Sequence, residues 1–437
     1  MTKEHETITI RARWDQSQAP IRSTAERGLL LDIEAPEVAE RGDQERAPVN
    51  IALVIDRSGS MGGDPLRAAL EAAIGVIERL RDDDFLSLVC YDDRVNVLID
   101  AQKMSAQKRE RAVAALRKIR SGATTDLARG WLEGARCVAR AMDEYGLPAG
   151  HVILLSDGHA NRGECDPEKL AELSSGLAER HVTTTCVGIG ANYSLLQLAA
   201  IAEAGQGELH QSSEPSEIVE VVLGELGEQV AIFGRDFSIS LEGFEDAEIR
   251  QLTHYRQRAG EIALGALIGG QTRQLALLVE FPPAPEATRI TYRAVAHWRK
   301  PDGARERQRA ELRFDFDFVD PHDFNPEERD AEVARTIAEI WMARQGYDAM
   351  LLNERGRFDD AVACFDLAAP SFLRMVEGLD DADNFRRRRD RIRSASAHRW
   401  EGLSKKEAAL RARKQIRSKL DFRAAHRDRD WTDIDDD

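Results

Sequence analysis

Long apolar runs are missing from this chain of 437 residues. No stretch reaches the roughly 18 apolar residues that a membrane-spanning helix needs. The opening residues, Met1 to Thr7, also lack the apolar core of a secretory leader. Taken as the native start, they place the protein in the cytoplasm. Cysteine is scarce: Cys90, Cys137, Cys165, Cys186 and Cys364 are odd in number, widely spaced and without a Cys-x-x-Cys pair. That argues against a disulfide framework and against a zinc site. Cys90 and Cys186 fall in apolar strand patterns and read as buried thiols. There is no Gly-x-x-x-x-Gly-Lys phosphate loop and no Gly-x-Ser-x-Gly nucleophile elbow. What the chain has in quantity is charge, 77 acidic side chains against 61 Lys and Arg, for a net of −16. The charge is unevenly spread. Arg386 to Arg429 holds 17 Lys and Arg against 5 Asp and Glu, and Asp430 to Asp437 holds five Asp and no base. Such asymmetry points to a basic arm with a partner of its own, the acidic body of the same protein included. The length allows two or three domains, and a hydrophobic share of 42% suits a globular class.

Three stretches carry the chemistry. Asn50 to Ile55 is a continuous apolar run and reads as a buried strand. After it come Asp56-Arg57-Ser58-Gly59-Ser60, then a helical pattern with Leu66, Leu70, Ile74, Ile77 and Leu80 on one face. Asp56, Ser58 and Ser60 therefore sit on a loop beyond the C-terminal end of a strand, where open α/β sheets bind ligands. Their spacing brings one carboxylate and two hydroxyls toward one point. Oxygen-only donors suit a hard divalent ion, whereas the bland alternative is a capping turn. The second stretch is Ser121-Gly122-Ala123-Thr124-Thr125-Asp126-Leu127. The third is Val152-Ile153-Leu154-Leu155-Ser156-Asp157-Gly158, again an apolar strand ending in a carboxylate.

In this order and at this spacing, the three stretches resemble the metal-ion-dependent adhesion site of von Willebrand factor A domains, over about residues 48 to 232. The resemblance implies that Ser58, Ser60 and Thr125 coordinate a metal directly, and that Asp56 and Asp157 do so directly or through water. It implies Mg²⁺, with Ca²⁺ or Mn²⁺ as alternatives, and a partner protein whose Asp or Glu completes the shell. Neutral hydroxyl ligands leave the ion much of its positive charge for that partner. Asp126 is a possible accessory carboxylate, explained equally well by a helix N-terminus. His159 is a possible accessory base, with a polar loop residue as the alternative. Bacterial relatives that lack a leader act beside MoxR-type AAA+ ATPases or in stress and defence complexes, so the resemblance implies that class of partner.

The rest of the chain is organised around this doubly wound, mostly parallel α/β domain, expected at 48–232. Before it, residues 1–47 alternate in two strand-like stretches. After it, residues 233–320 alternate at period two, with Pro301-Asp302-Gly303 as a turn. One β-sandwich with the A-like domain inserted is the expected arrangement, as in relatives of inter-α-trypsin inhibitor heavy chains. Separate packing of the N-terminal strands is the alternative. Residues 321–384 read as a helical hairpin, in which Gly356 to Ala361 resembles a tetratricopeptide turn without the repeats of a solenoid. Residues 385–437 read as a basic helical arm and an acidic tail. Within that arm, Arg386, Arg387, Arg388 and Arg389 suit contact with a polyanion. A solvated helix or an acidic protein surface are the other readings, and no nucleic-acid module accompanies the run. The expectation is a non-enzymatic, metal-dependent protein-interaction scaffold. A metal-dependent phosphohydrolase and a nucleic-acid-associated protein are the alternatives.

Overall fold

The computed structural model describes residues 7–37, 48–190, 193–301 and 306–399, together with Ala412. The chain begins with β1 (Thr9–Trp14), β2 (Gln18–Pro20) and β3 (Ala25–Glu34). It then enters the first of two units, whose described residues lie within Ala39–Ala231.

In this unit strands and helices alternate: β4 (Asn50–Asp56), α1 (Asp64–Arg79), β5 (Phe85–Tyr91), β6 (Val95–Lys103), α2 (Ala106–Leu116), α3 (Leu127–Tyr145) and β7 (Gly150–Ser156). Next come α4 (Pro167–Ala178), β8 (Val182–Ile189), α5 (Leu195–Ala204), β9 (Gln206–Ser212) and α6 (Pro215–Val230). The sheet runs in the order β6-β5-β4-β7-β8-β9. All neighbours are parallel except β5 and β6, which form the hairpin at one edge. Every residue of β4, β5 and β7 is buried. That is why these strands read as unbroken apolar runs, since both faces of a parallel sheet are covered by helices. Ile51, Leu53 and Ile55 share a core with Ala69, Ala72, Val76 and Ile77 of α1 and with Ile218 and Val222 of α6. The other face meets α3. There Gly134 lets the helix come so close that a Cβ on it would stand 2.3 Å from Val54. Asp126 caps α3 by accepting from the Arg129 N–H (3.2 Å), and Gly146 ends it at φ 66°.

The second unit joins residues from both flanks. After α6 come β10 (Ile232–Glu242), β11 (Glu248–Gln251), β12 (Arg256–Arg258), β13 (Glu261–Ile268), β14 (Thr272–Phe281), β15 (Thr288–Arg299) and β16 (Arg307–Val319). They make two sheets, β1-β3-β14-β11 and β12-β13-β10-β15-β16-β2. The N-terminal strands are divided between them. β3 pairs with β14 along its whole length, from Ala25 against Phe281 to Glu34 against Thr272, while β2 runs parallel to the end of β16. The inner faces share one core, with Trp14 in ring contact with Phe244, Phe281, Tyr292, Phe314 and Phe316. The strands β11 and β12 are too short to show a period in the sequence.

Among the described residues three further helices belong to this unit: α7 (Ala331–Glu354), α8 (Phe358–Val376) and α9 (Ala382–Ser396). α7, with Met375 of α8, covers the outer face of β3, so Leu30 is buried there while Leu29 and Leu31 are buried in the sandwich core. Gly28 makes the approach possible, because a Cβ there would lie 2.7 Å from Ile337 and 3.0 Å from Met375. The expected boundary between hairpin and basic arm, at 384, falls inside α9. Phe385, Arg389 and Ile392 of this helix are buried. Arg389 is therefore not available to a polyanion. Its guanidinium lies 5.8 Å from the ring centres of both Phe365 and Phe372 and donates to the Phe365 carbonyl. Burial pushes its pKa down. Arg386 pairs with Asp383 at 3.0 Å, and Arg387 is exposed. Beyond residue 399 the expected basic arm lies outside the described residues apart from Ala412, as does the acidic tail.

The difference between these arginines is measurable. Arg389→Ala should cost about 2–3 kcal/mol, because it removes a buried, charge-assisted hydrogen bond and two ring contacts. Arg387→Ala should stay within about 0.5 kcal/mol of wild type. Equal urea midpoints for the two variants would contradict the packing described here.

Candidate metal centre

The polar site forms at the C-terminal ends of β4 and β7, and three loops contribute to it. β4 ends at Asp56, whose carboxylate is fully buried. Its Oδ1 accepts from the Ser58 N–H (2.8 Å) and its Oδ2 from the Ser156 hydroxyl (2.6 Å). Beyond Ser58 a single 3₁₀ turn, Gly59–Met61, is anchored by the buried Met61. The turn places the Ser60 hydroxyl 3.2 Å from that of Ser58. Ser58 is buried and Ser60 exposed, so the pair runs from the interior to the surface.

The second loop carries Thr125, which is buried. Its backbone is tied to the other two loops. The Gly59 N–H donates to the Ala123 carbonyl (2.8 Å), and the Gly122 N–H to the Arg57 carbonyl (2.6 Å). On the far side, Thr125 N–H donates to Asn161 Oδ1 (3.0 Å), and its carbonyl accepts from the Asn161 and Arg162 N–H groups (both 3.2 Å). Among the described residues no hydrogen bond occupies the Thr125 hydroxyl.

The third loop follows β7. Ser156 donates to Asp56 and accepts from the Gly158 N–H at 2.7 Å. Asp157, also buried, accepts from the His159 N–H (3.2 Å), and its carbonyl accepts from Ser194 N–H (2.8 Å). His159 is exposed. Asp126 acts as the cap of α3.

The electrostatics are those of a site short of positive charge. Burial pushes the Asp56 carboxyl from 3.8 up to about 6; hydrogen bonds from Ser156 and Ser58 pull it down, and the charge of Asp157 raises it further. Arg57, inside the Asp-x-Ser-x-Ser motif, turns away and pairs with Asp92 at 3.1 Å. Among the described residues no Lys or Arg forms an ion pair with Asp56 or Asp157. Nor do three or more His, Cys, Asp or Glu side chains cluster as a metal cage. Two buried carboxylates beside three hydroxyls fit a hard divalent cation, which takes oxygen ligands and balances the charge. Ser58, Ser60 and Thr125 would hold it through neutral oxygens, Asp56 and Asp157 through negative ones.

Of the residues singled out in the sequence, Asp56, Ser58, Ser60, Thr125 and Asp157 lie on loops laced together by these hydrogen bonds. His159 borders the third loop, whereas Arg386 to Arg389 belong to the other unit. Sequence reasoning assigned no role to Ser156, which joins the first loop to the third, or to Asn161, which holds the second. A hydroxyl directly before the strand-end Asp was a usable signal for Ser156. Nothing in the sequence marks Asn161.

A pH dependence follows from the sign of the Asp56 shift. Cation binding needs the carboxylate, and the proton competes below the raised pKa. Mn²⁺ affinity should therefore fall below about pH 6, approaching about tenfold per unit. Paramagnetic titration of free Mn²⁺ between about pH 5 and 8 would read it. A flat profile would remove Asp56 from the ligand set.

A family model described as the von Willebrand factor type A domain matches residues 50–222. The chain is 31% identical over 204 residues to the uncharacterized protein sll0103 of Synechocystis sp., covering 46% of this chain and 46% of that one. It is 29% identical over 164 residues to inter-alpha-trypsin inhibitor heavy chain H3 of Rattus norvegicus, covering 36% of this chain and 18% of the relative. The match thus takes in less than half of each relative's length. Two solved structures resemble the chain over 94% of its length and 98% of theirs. One is a von Willebrand factor type A protein from Catenulispora acidiphila (TM-score 0.67, 19% identity). The other is the ArnB paralog VWA2 from Sulfolobus acidocaldarius (TM-score 0.56, 14% identity). At these identities the likeness is one of fold.

Proposed function

Residues 50–222 of this chain form a von Willebrand factor type A domain, and from that premise we propose that the protein is a metal-dependent interaction scaffold that captures a carboxylate on a partner protein. The observation that carries the reading is the pair of buried carboxylates, Asp56 and Asp157, which form no ion pair with Lys or Arg among the described residues and lie on loops that also carry Ser58, Ser60 and Thr125. A bound Mg²⁺, with Ca²⁺ or Mn²⁺ as alternatives, would supply an open coordination position for a partner's Asp or Glu. The chain's own residues set the rest. Ser156 and the Ser58 N–H fix both oxygens of Asp56. Asn161 and Ala123 fix the loop of Thr125. Exposed Ser60 marks the side from which a partner approaches.

The reading is one of binding rather than catalysis. The side chain best suited to act as a base, His159, is exposed and meets Asp157 through its backbone N–H. Five unbridged cysteines suit a reducing compartment, and no helix among the described residues is long and apolar enough to cross a membrane. We place the encounter in the bacterial cytoplasm, with a MoxR-type AAA+ ATPase or a stress or defence complex as the class of partner.

Affinity capture from the native cell tests this. A specific partner should be retained in Mg²⁺, lost in EDTA, regained when Mg²⁺ returns, and lost from Ser58→Ala/Ser60→Ala. A partner that stays bound in EDTA and to that double variant would overturn the mechanism.

A further inference from the structure

Arg57 occupies the middle of the metal-binding motif, yet its side chain serves a different place. It lines a cavity of about 380 Å³ beside β5, β6 and α2, together with Arg111 and Lys118. Leu98, Ala115 and Ile119 give that cavity an apolar wall. Neither Arg111 nor Lys118 forms an ion pair with a carboxylate among the described residues. The Nε of Arg57 is buried and donates to nothing. A buried guanidinium N–H without an acceptor is costly unless something supplies one. Three cations converge on a hollow whose wall carries no carboxylate, in a chain whose net charge is −16. Asp92 pairs with Arg57 at 3.1 Å.

We propose that this cavity is a second ligand site, for a small organic anion that joins a phosphate or carboxylate to an apolar body, and that its occupancy is felt at the metal loop through Arg57. Arg111 and Lys118 draw the anion in, the accessible part of the Arg57 side chain that lines the cavity meets it, and the apolar wall receives the body. The coupling follows from what Arg57 and Asp92 hold. Arg57 donates its backbone N–H to the Tyr91 carbonyl (2.8 Å) and accepts from Gly122 N–H (2.6 Å). Asp92 lies against the loop of Thr125: a Cβ on Gly122 would meet its Oδ2 at 2.0 Å, and its carbonyl accepts from Asp126 N–H (3.0 Å). An anion competing for the guanidinium loosens the Arg57–Asp92 pair, and with it the packing that positions Ser58 and Thr125. Ligand and cation therefore change each other's affinity by the same factor. This coupling rests on the metal reading above, whereas the anion site itself does not.

The two parts separate experimentally. Phenyl phosphate is titrated calorimetrically into the full-length protein in EDTA, with inorganic phosphate and phenol as comparators. Saturable binding is expected, tightest for phenyl phosphate, and weaker by about tenfold or more in Arg111→Ala/Lys118→Ala. Both changes are at exposed positions, and unaltered thermal melting confirms that the variant folds. No saturable binding, or an unweakened double variant, would overturn the site. Mn²⁺ affinity is then measured with and without saturating phenyl phosphate. A change of about fivefold is expected in wild type and none in the double variant. An unchanged Mn²⁺ affinity in wild type would overturn the coupling.

Discussion

Asp56→Asn should make the metal-stripped protein more stable at pH 8 while abolishing its response to Mn²⁺. The Asp56 carboxyl moves from 3.8 to about 6 because burial disfavours its charge and Asp157 adds repulsion. A carboxyl raised on folding contributes stability that is fully present below its unfolded pKa. That contribution is lost as pH rises through the folded value. In EDTA the wild type should thus weaken between about pH 4 and 6 and stay weakened above, by up to about 3 kcal/mol. Asparagine keeps an oxygen for the Ser58 N–H, while its amide can only donate to the Ser156 oxygen, so the charge is removed and the Ser156 hydroxyl gives up its acceptor. Melting curves of the two proteins should converge near pH 4 and separate above pH 6, the variant being higher. Saturating Mn²⁺ should raise the wild-type transition and leave the variant's unchanged. An Asn variant that melts lower at pH 8 and still responds to Mn²⁺ would show that Asp56 is a structural cap, not a ligand held at a cost.

Trp131→Ala is expected to be the most destabilising single change in the same unit, by about 3–5 kcal/mol. Trp131 is completely buried on α3, and its indole N–H donates to Thr184 Oγ1 at 3.0 Å. The helix lies over β4, β5 and β7, with Gly130 against the Tyr91 ring at a Cβ distance of 2.2 Å and Gly134 against Val54. Such close packing leaves little room for collapse into the void. Because α3 starts directly after Thr125 and Asp126, the damage should also reach the cation, lowering Mn²⁺ affinity in whatever fraction stays folded. Trp131→Phe keeps most of the volume and loses the hydrogen bond, so it should cost about 1–2 kcal/mol. Denaturant titration of the three proteins decides. A Trp131→Ala loss below that of the Phe variant would refute the packing argument.

The site was legible in the sequence because its chemistry repeats one local pattern. A buried strand ends, and oxygen-bearing side chains follow at alternate positions. Asp56, Ser58, Ser60 and Asp157 obey that pattern, and Thr125 sits in a glycine-containing turn just before a helix. The alternation of apolar runs with helical stripes likewise implied the parallel sheet. Long-range choices were not written locally. Ser156 bonds to Asp56 across the sheet, a partner its position before Asp157 does not name, and Asn161 bonds to Thr125 across loops, where no spacing rule exposes it. The split of β1 and β2 between two sheets depends on strands formed much later in the chain. Arg389 misled for a different reason. Phe385 and Ile392, at i and i+7, put Arg389 at i+4 on their own face, a helical spacing that the polyanion reading of the four-arginine run passed over.

The pairing of β3 with β14 has a consequence for biosynthesis. β3 leaves the ribosome early with β1 available to one edge, but β14, its partner along the other edge, is made only after the entire A domain has emerged. Meanwhile the A domain draws every strand of its sheet from one continuous segment, so it can close as soon as that segment is free. Leu29, Leu30 and Leu31 must therefore wait in the nascent chain with neither sandwich nor helices to cover them. Any need for a chaperone during translation falls on these first strands and not on the domain that holds the candidate metal centre.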